Sequence, residues 1–83
     1  MPKVGHHQAV CAEIIRLLFA ERKRQGLSNY SLSKLSGVSQ SMISLVEREL
    51  RNPSMELMLK LAGAIEADLP NLIRKAQKTL PPK

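Results

Sequence analysis

Aromatic side chains are almost missing from this sequence: Phe19 and Tyr30 stand alone, and there is no tryptophan. That excludes a single-strand binder that stacks successive bases on aromatic platforms. Cysteine is nearly missing too. With Cys11 alone, neither an intrachain disulfide nor the usual zinc cluster can form, and a reducing, cytoplasmic setting is expected. No apolar run approaches the ~20 residues of a membrane-spanning helix, and no signal peptide is visible. There is no paired acid and base, no nucleophile constellation and no phosphate-cradling glycine loop, so enzymatic activity is not expected. Nor is a cofactor, a metal or a small-molecule ligand. His6 and His7 are sequence neighbours, which on a helix diverge too far to chelate one ion. Acidic residues are scarce as well, 7 against 13 Lys and Arg, giving a net charge of +6. A polyanionic partner fits that balance.

What remains is a helical sequence of 83 residues, expected to form one domain with a modest core. Residues 1–7, with Pro2, Lys3 and Gly5, read as a loose arm. Residues 8–25 contain no proline or glycine and carry Val10, Ile14, Leu17 and Leu18 at helical spacing, so a first helix is expected there. Cys11 is expected to pack as a small apolar group. Arg22, Lys23 and Arg24 suit the negative end of that helix, and Gly26 ends it.

Residues 27–53 organise the rest. Ser28 is placed to cap a second helix, with Leu32 and Leu35 facing inward. Gly37 sits where a left-handed residue stops that helix, Val38 plugs the turn, and Ser39 caps a third helix. Ile43 and Val46 point it inward at i and i+3, leaving Gln40, Ser41, Ser44 and Leu45 outside. Asn52, before Pro53, marks a boundary. Ser54 then caps a fourth helix over 55–65, with an apolar stripe of Met55, Met58, Ala62 and Ile65. Leu57, Leu59, Leu61 and Ala64 lie off that stripe, so more than one face must be buried. Asp68 caps a fifth helix that tolerates Pro70 in its first turn. The domain is expected over residues 8–78, with a tail at 79–83 that Pro81 and Pro82 keep from being helical. Helix, glycine turn, helix at this spacing is the helix-turn-helix pattern, whose second helix lies in the DNA major groove.

The diagnostic residues are Gly26-Leu27-Ser28, Leu32, Gly37-Val38-Ser39, Ile43-Ser44, Val46-Glu47-Arg48, Arg51-Asn52-Pro53-Ser54 and Leu61-Ala62. In this joint spacing, from about Ile14 to Ile73, the chain resembles the lambda-repressor and Cro-like (XRE-type) regulators. Its size is also similar to that of the small dimeric controllers of restriction-modification systems. The resemblance implies an all-α, five-helix domain with the helix-turn-helix at helices 2 and 3. It also implies that Arg22 pairs with Glu47, tying the reading helix to the first. Three positions depart from the pattern. Asn29 replaces the usual phosphate-anchoring glutamine and is one methylene shorter. Glu49 replaces a glycine after the glutamate-arginine pair, so either it takes a left-handed cap at a cost of ~1 kcal/mol or the helix runs on. Leu45 stands where a polar base-reading side chain is common, and it either meets a thymine methyl or is plain apolar surface.

Gln40 offers one donor and one acceptor, matching adenine N6 and N7. With Ser41, Ser44 and Leu45 it forms the expected base-reading set. Met42 either reaches toward the duplex or covers the core edge. Arg48, Arg51 and the Asn52 amide are expected at the DNA backbone, with the main-chain amides of Asn29 and Tyr30 at a helix N-terminus. Tyr30 either adds a hydroxyl contact or packs its ring on a neighbouring helix. One copy reads too few base pairs to be selective, so a homodimer on double-stranded DNA is expected. Its interface is expected to draw on Leu57, Leu61, Leu69, Leu72, Ile73 and Ala76. The competing expectation is a protein-interaction module or antitoxin that grips a partner protein with the same fold. No effector-sensing domain is visible, so control is expected to act through concentration or a partner.

Overall fold

A computed structural model describes residues 4–79. They form α1 (Val4–Arg24), α2 (Asn29–Ser36), α3 (Gln40–Glu47), α4 (Met55–Ala64) and α5 (Leu69–Thr79), with no strand among the described residues. α1 packs on α5 and α3, α2 on α3 and α4, and α4 on α5. The all-α, five-helix expectation is met.

Each short helix starts on a side-chain cap. Ser28, Ser39 and Ser54 accept from the amides of Ser31, Met42 and Leu57 at 3.0, 3.1 and 3.1 Å. Asp68 Oδ1 accepts from Asn71 N at 3.3 Å. These bonds satisfy amides that the helix itself leaves without partners.

The helix ends follow one rule. After α1, Gly26 N donates to Lys23 O and Leu27 N to Arg22 O, the paired bonds of a Schellman closure around a left-handed Gly26. α3 closes the same way, with Glu49 N to Val46 O and Leu50 N to Leu45 O. α4 repeats it with Glu66 N to Gly63 O and Ala67 N to Ala62 O. Glu49 and Glu66 therefore hold φ of 61° and 56° without being glycine. Of the two alternatives at Glu49, the left-handed cap is the one adopted. α2 ends on Gly37 at φ 77°, whose amide donates to Ser33 O.

Ile14, Leu18, Phe19, Leu32, Ile43, Val46, Leu61 and Ala76 are buried in one core. Val38 is buried in the turn between α2 and α3. Several inward or outward assignments change. α1 begins at Val4, so His6 and His7 lie in its first turns and not in an arm; Gly5 in a helix costs only about 1 kcal/mol. The remainder of that arm, residues 1–3, and residues 80–83 of the tail lie outside the described residues, while Thr79 closes α5. Cys11 is exposed: it opens onto a cavity shared with Arg51 and Asn52, while its neighbour Val10 packs against the core. Leu35 is 59% exposed, since the i+3 step from Leu32 stops about 60° short of a full turn and nothing covers it. On α4 the buried stripe is Met58, Leu61, Ala62 and Ile65, with Met55 exposed.

Three of the residues expected at a dimer interface lie inside the single chain. Leu61, Leu69 and Ala76 are 0%, 4% and 0% exposed within a single chain, so they close its own core and have nothing to offer a second copy. A chain this small has few apolar residues, and its core recruits these first. Leu57, Leu72 and Ile73 pack against the same core while staying partly exposed.

Candidate nucleic-acid interface

α3 is eight residues long and fully buried along one side by Ile43 and Val46. Two capped ends and that apolar backing fix its outer side as a rigid surface. Gln40, Ser41, Ser44 and Leu45 stand there at i, i+1, i+4 and i+5. With Asn29 and Arg48 they line an open hollow of about 500 Å³. Gln40 and Ser41 are exposed, and Ser44 and Leu45 are partly so. Met42 is half-buried against the core edge.

Behind the hollow lies a polar bolt. Arg22 is the buried charged residue of the described chain. Its Nη1 donates to Leu27 O at 2.5 Å and its Nη2 to Glu47 Oε2 at 3.4 Å, while the guanidinium lies 5.7 Å from the Phe19 ring centre. The other Glu47 oxygen accepts from Asn29 Nδ2 at 3.3 Å, and Lys23 Nζ stands 4.0 Å from Oε2. One carboxylate thus joins α1, the α2 start and the α3 end. Arg22 Nε and Asn29 Oδ1 are buried without partners. Asn29 Oδ1 cannot serve a phosphate, because both groups only accept. An anion at this helix start is left the main-chain amides and the second Nδ2 hydrogen.

The remaining backbone candidates do not all gather at one place. Arg48 borders the α3 hollow, whereas Arg51 and Asn52 line a separate cavity of about 330 Å³ with Gln8 and Cys11 of α1. Tyr30 is 56% exposed, so its ring is not packed on a neighbouring helix; Lys34 Nζ sits 5.5 Å from its centre. Glu13 and Glu21 hold Arg16 and Arg24, and Glu56 holds Lys60. Among the described residues, Lys34, Arg48, Arg51, Arg74, Lys75 and Lys78 form no ion pair. Lys34 was missed from sequence, although it lies one turn after Tyr30 with no acid in reach on α2. The Asn29 link to Glu47 was also missed, and no spacing rule signals a contact between residues so far apart in the chain.

Paired short helices, a left-handed glycine turn and an exposed polar side on the second helix define a helix-turn-helix domain. The helix-turn-helix family profile matches residues 18–71, from within α1 into α5. The chain belongs to this XRE-type family, a class of DNA-binding transcriptional regulators. It is 42% identical over 52 residues to an uncharacterized HTH-type transcriptional regulator of Haemophilus influenzae, covering 63% of this chain and 53% of that protein. It is 38% identical over 58 residues to the HTH-type transcriptional regulator SlrR of Bacillus subtilis, covering 69% of this chain and 38% of that one. The chain thus spans about half the length of the first relative and less of the second. No solved structure matches it significantly. No described helix is long and apolar enough to cross a membrane.

Proposed function

We propose that this chain is a sequence-specific regulator that lays α3 in the major groove of double-stranded DNA and acts as a homodimer on a palindromic operator in the cytoplasm. The observation that carries the reading is the single hollow holding Gln40, Ser41, Ser44 and Leu45 over a backing of Ile43 and Val46. Side chains at the front of such a helix reach base edges, while groups at its rim grip phosphates. At the hollow itself that grip falls to Arg48 and the amides opening α2, with the exposed Tyr30 beside them; Arg51 and Asn52, which line a separate cavity, would have to reach the phosphates from there. Unpaired Lys34 adds to the same positive field.

Two copies related by a two-fold axis would set their α3 helices about 34–36 Å apart, one turn of the duplex. Met55 and Leu59, exposed one turn apart on α4, and the partly exposed Leu57, Leu72 and Ile73 leave apolar surface for that association. Selection of bound sequences from a random duplex pool, with sedimentation of the complex, tests the reading. A palindromic preference and a 2:1 complex are expected. Binding without sequence preference, or a monomer on an isolated half-site, would overturn it.

A further inference from the structure

We infer that the half-site is read chiefly through A·T pairs, with an adenine opposite Gln40 and a thymine methyl against Leu45. This rests on α3 entering the major groove and names what it selects there. Glu47 is the sole ionisable side chain in α3, and it is turned back onto Arg22 and Asn29. The helix therefore presents only neutral groups to the hollow; the one cation that also lines it, Arg48, is the C-cap just past the last helical residue. Guanine is read best by a bidentate arginine or lysine, and cytosine by an accepting carboxylate. Neither is offered along α3. Serines accept either pair, so Ser41 and Ser44 do not tip the balance.

The two informative side chains both favour A·T. A glutamine amide matches adenine N7 and N6 with its donor and acceptor, and an apolar tip matches the thymine C5-methyl. Leu45 stays partly exposed in a hollow otherwise lined by polar side chains, so covering it with a methyl removes apolar surface from water. The five-residue step from Gln40 to Leu45 spans about 7.5 Å along the helix. That is about two base-pair steps of 3.4 Å.

The test uses the full chain and the tightest duplex from the random pool, with binding followed by fluorescence anisotropy. Each thymine is replaced in turn by deoxyuridine, which removes only the methyl, and each adenine by 7-deazaadenine, which removes only N7. One deoxyuridine position is expected to weaken wild-type binding by about threefold to tenfold. The same change should be neutral in Leu45→Ala, a surface substitution that leaves the core intact. One 7-deazaadenine position is expected to cost about fivefold or more, and to be neutral in Gln40→Ala. A selected half-site with G·C pairs at the positions sensitive to these two variants would overturn the inference while leaving groove reading in place. So would deoxyuridine losses that persist in Leu45→Ala. A pool with no preferred duplex would remove groove reading and this inference together.

Discussion

Arg22 and Glu47, 25 residues apart in the chain, meet with Nη2 and Oε2 3.4 Å apart behind the surface that α3 presents. The contact joins the end of the long first helix to the end of the short third one. An eight-residue helix is marginal in isolation, so its orientation depends on such tertiary ties. Glu47→Ala would leave the Arg22 guanidinium buried with one fewer acceptor. A stability loss of about 1–3 kcal/mol is expected in denaturant unfolding. The double variant Arg22→Met with Glu47→Leu should recover part of it, because no charge is then left unpaired. Equal and additive losses in a double-mutant cycle would show that the two side chains do not interact.

Glu49 and Glu66 make the second prediction. Both occupy the left-handed position of a Schellman closure, at φ 61° and 56°. Glycine bears that conformation without a Cβ penalty. Glu49→Gly and Glu66→Gly should each stabilise by about 0.5–1 kcal/mol, read as a rise in Tm of a few degrees. Gly37→Ala should do the opposite by about 1 kcal/mol. Its added Cβ would meet nothing within 4 Å, so the cost is backbone strain at φ 77° and not a clash.

These helix ends also show what could be read from the sequence. Ser28, Gly37, Ser39 and Ser54 act on their immediate neighbours, and so the second, third and fourth helices were legible to within a residue. Ile43 and Val46 were legible as α3's buried side for the same reason. Leu61 and Leu35 were misjudged because burial depends on which helix lies across from them, and spacing within one helix does not contain that. Cys11 has core-like spacing, yet the segment across from it leaves an open cavity there in place of a packed side chain. In the candidate site, the outward set on α3 follows from periodicity. The turn of Asn29 toward Glu47 depends on how α2 and α3 cross, which only the assembled fold supplies.

Acid should act through Glu21. Arg24 and Gln25 donate to its ionised carboxylate and hold its pKa well below the ordinary carboxylate value, at about 2. A depressed folded-state pKa stabilises the fold above the unfolded value of about 4.3, and that contribution is lost as pH falls toward about 2. Gln25 also donates to Ile65 O at 2.8 Å, so the cluster ties α1 to the end of α4. The stability difference between wild type and Glu21→Gln is expected to shrink steadily from pH 5 to pH 2 in urea titrations. A pH-independent difference would contradict the ion pairing.

Salt should separate backbone grip from positioning. Arg48→Ala and Arg51→Ala are each expected to lower the slope of log K against log salt by about 1, the loss of one phosphate contact. Asn29→Ala should leave the slope unchanged, because its main-chain amide remains and its side chain serves Glu47. Slopes unchanged in both Arg48→Ala and Arg51→Ala would take these arginines off the phosphates.

Amide-resolved NMR titration of the chain with a duplex chosen from the random pool bears most directly on whether α3 is the reading surface. Shifts are expected to concentrate at Gln40, Ser41, Ser44, Leu45 and Arg48, with Asn29 and Tyr30 at the start of α2. Shifts confined to α4 and α5, with α3 unmoved, would contradict the account.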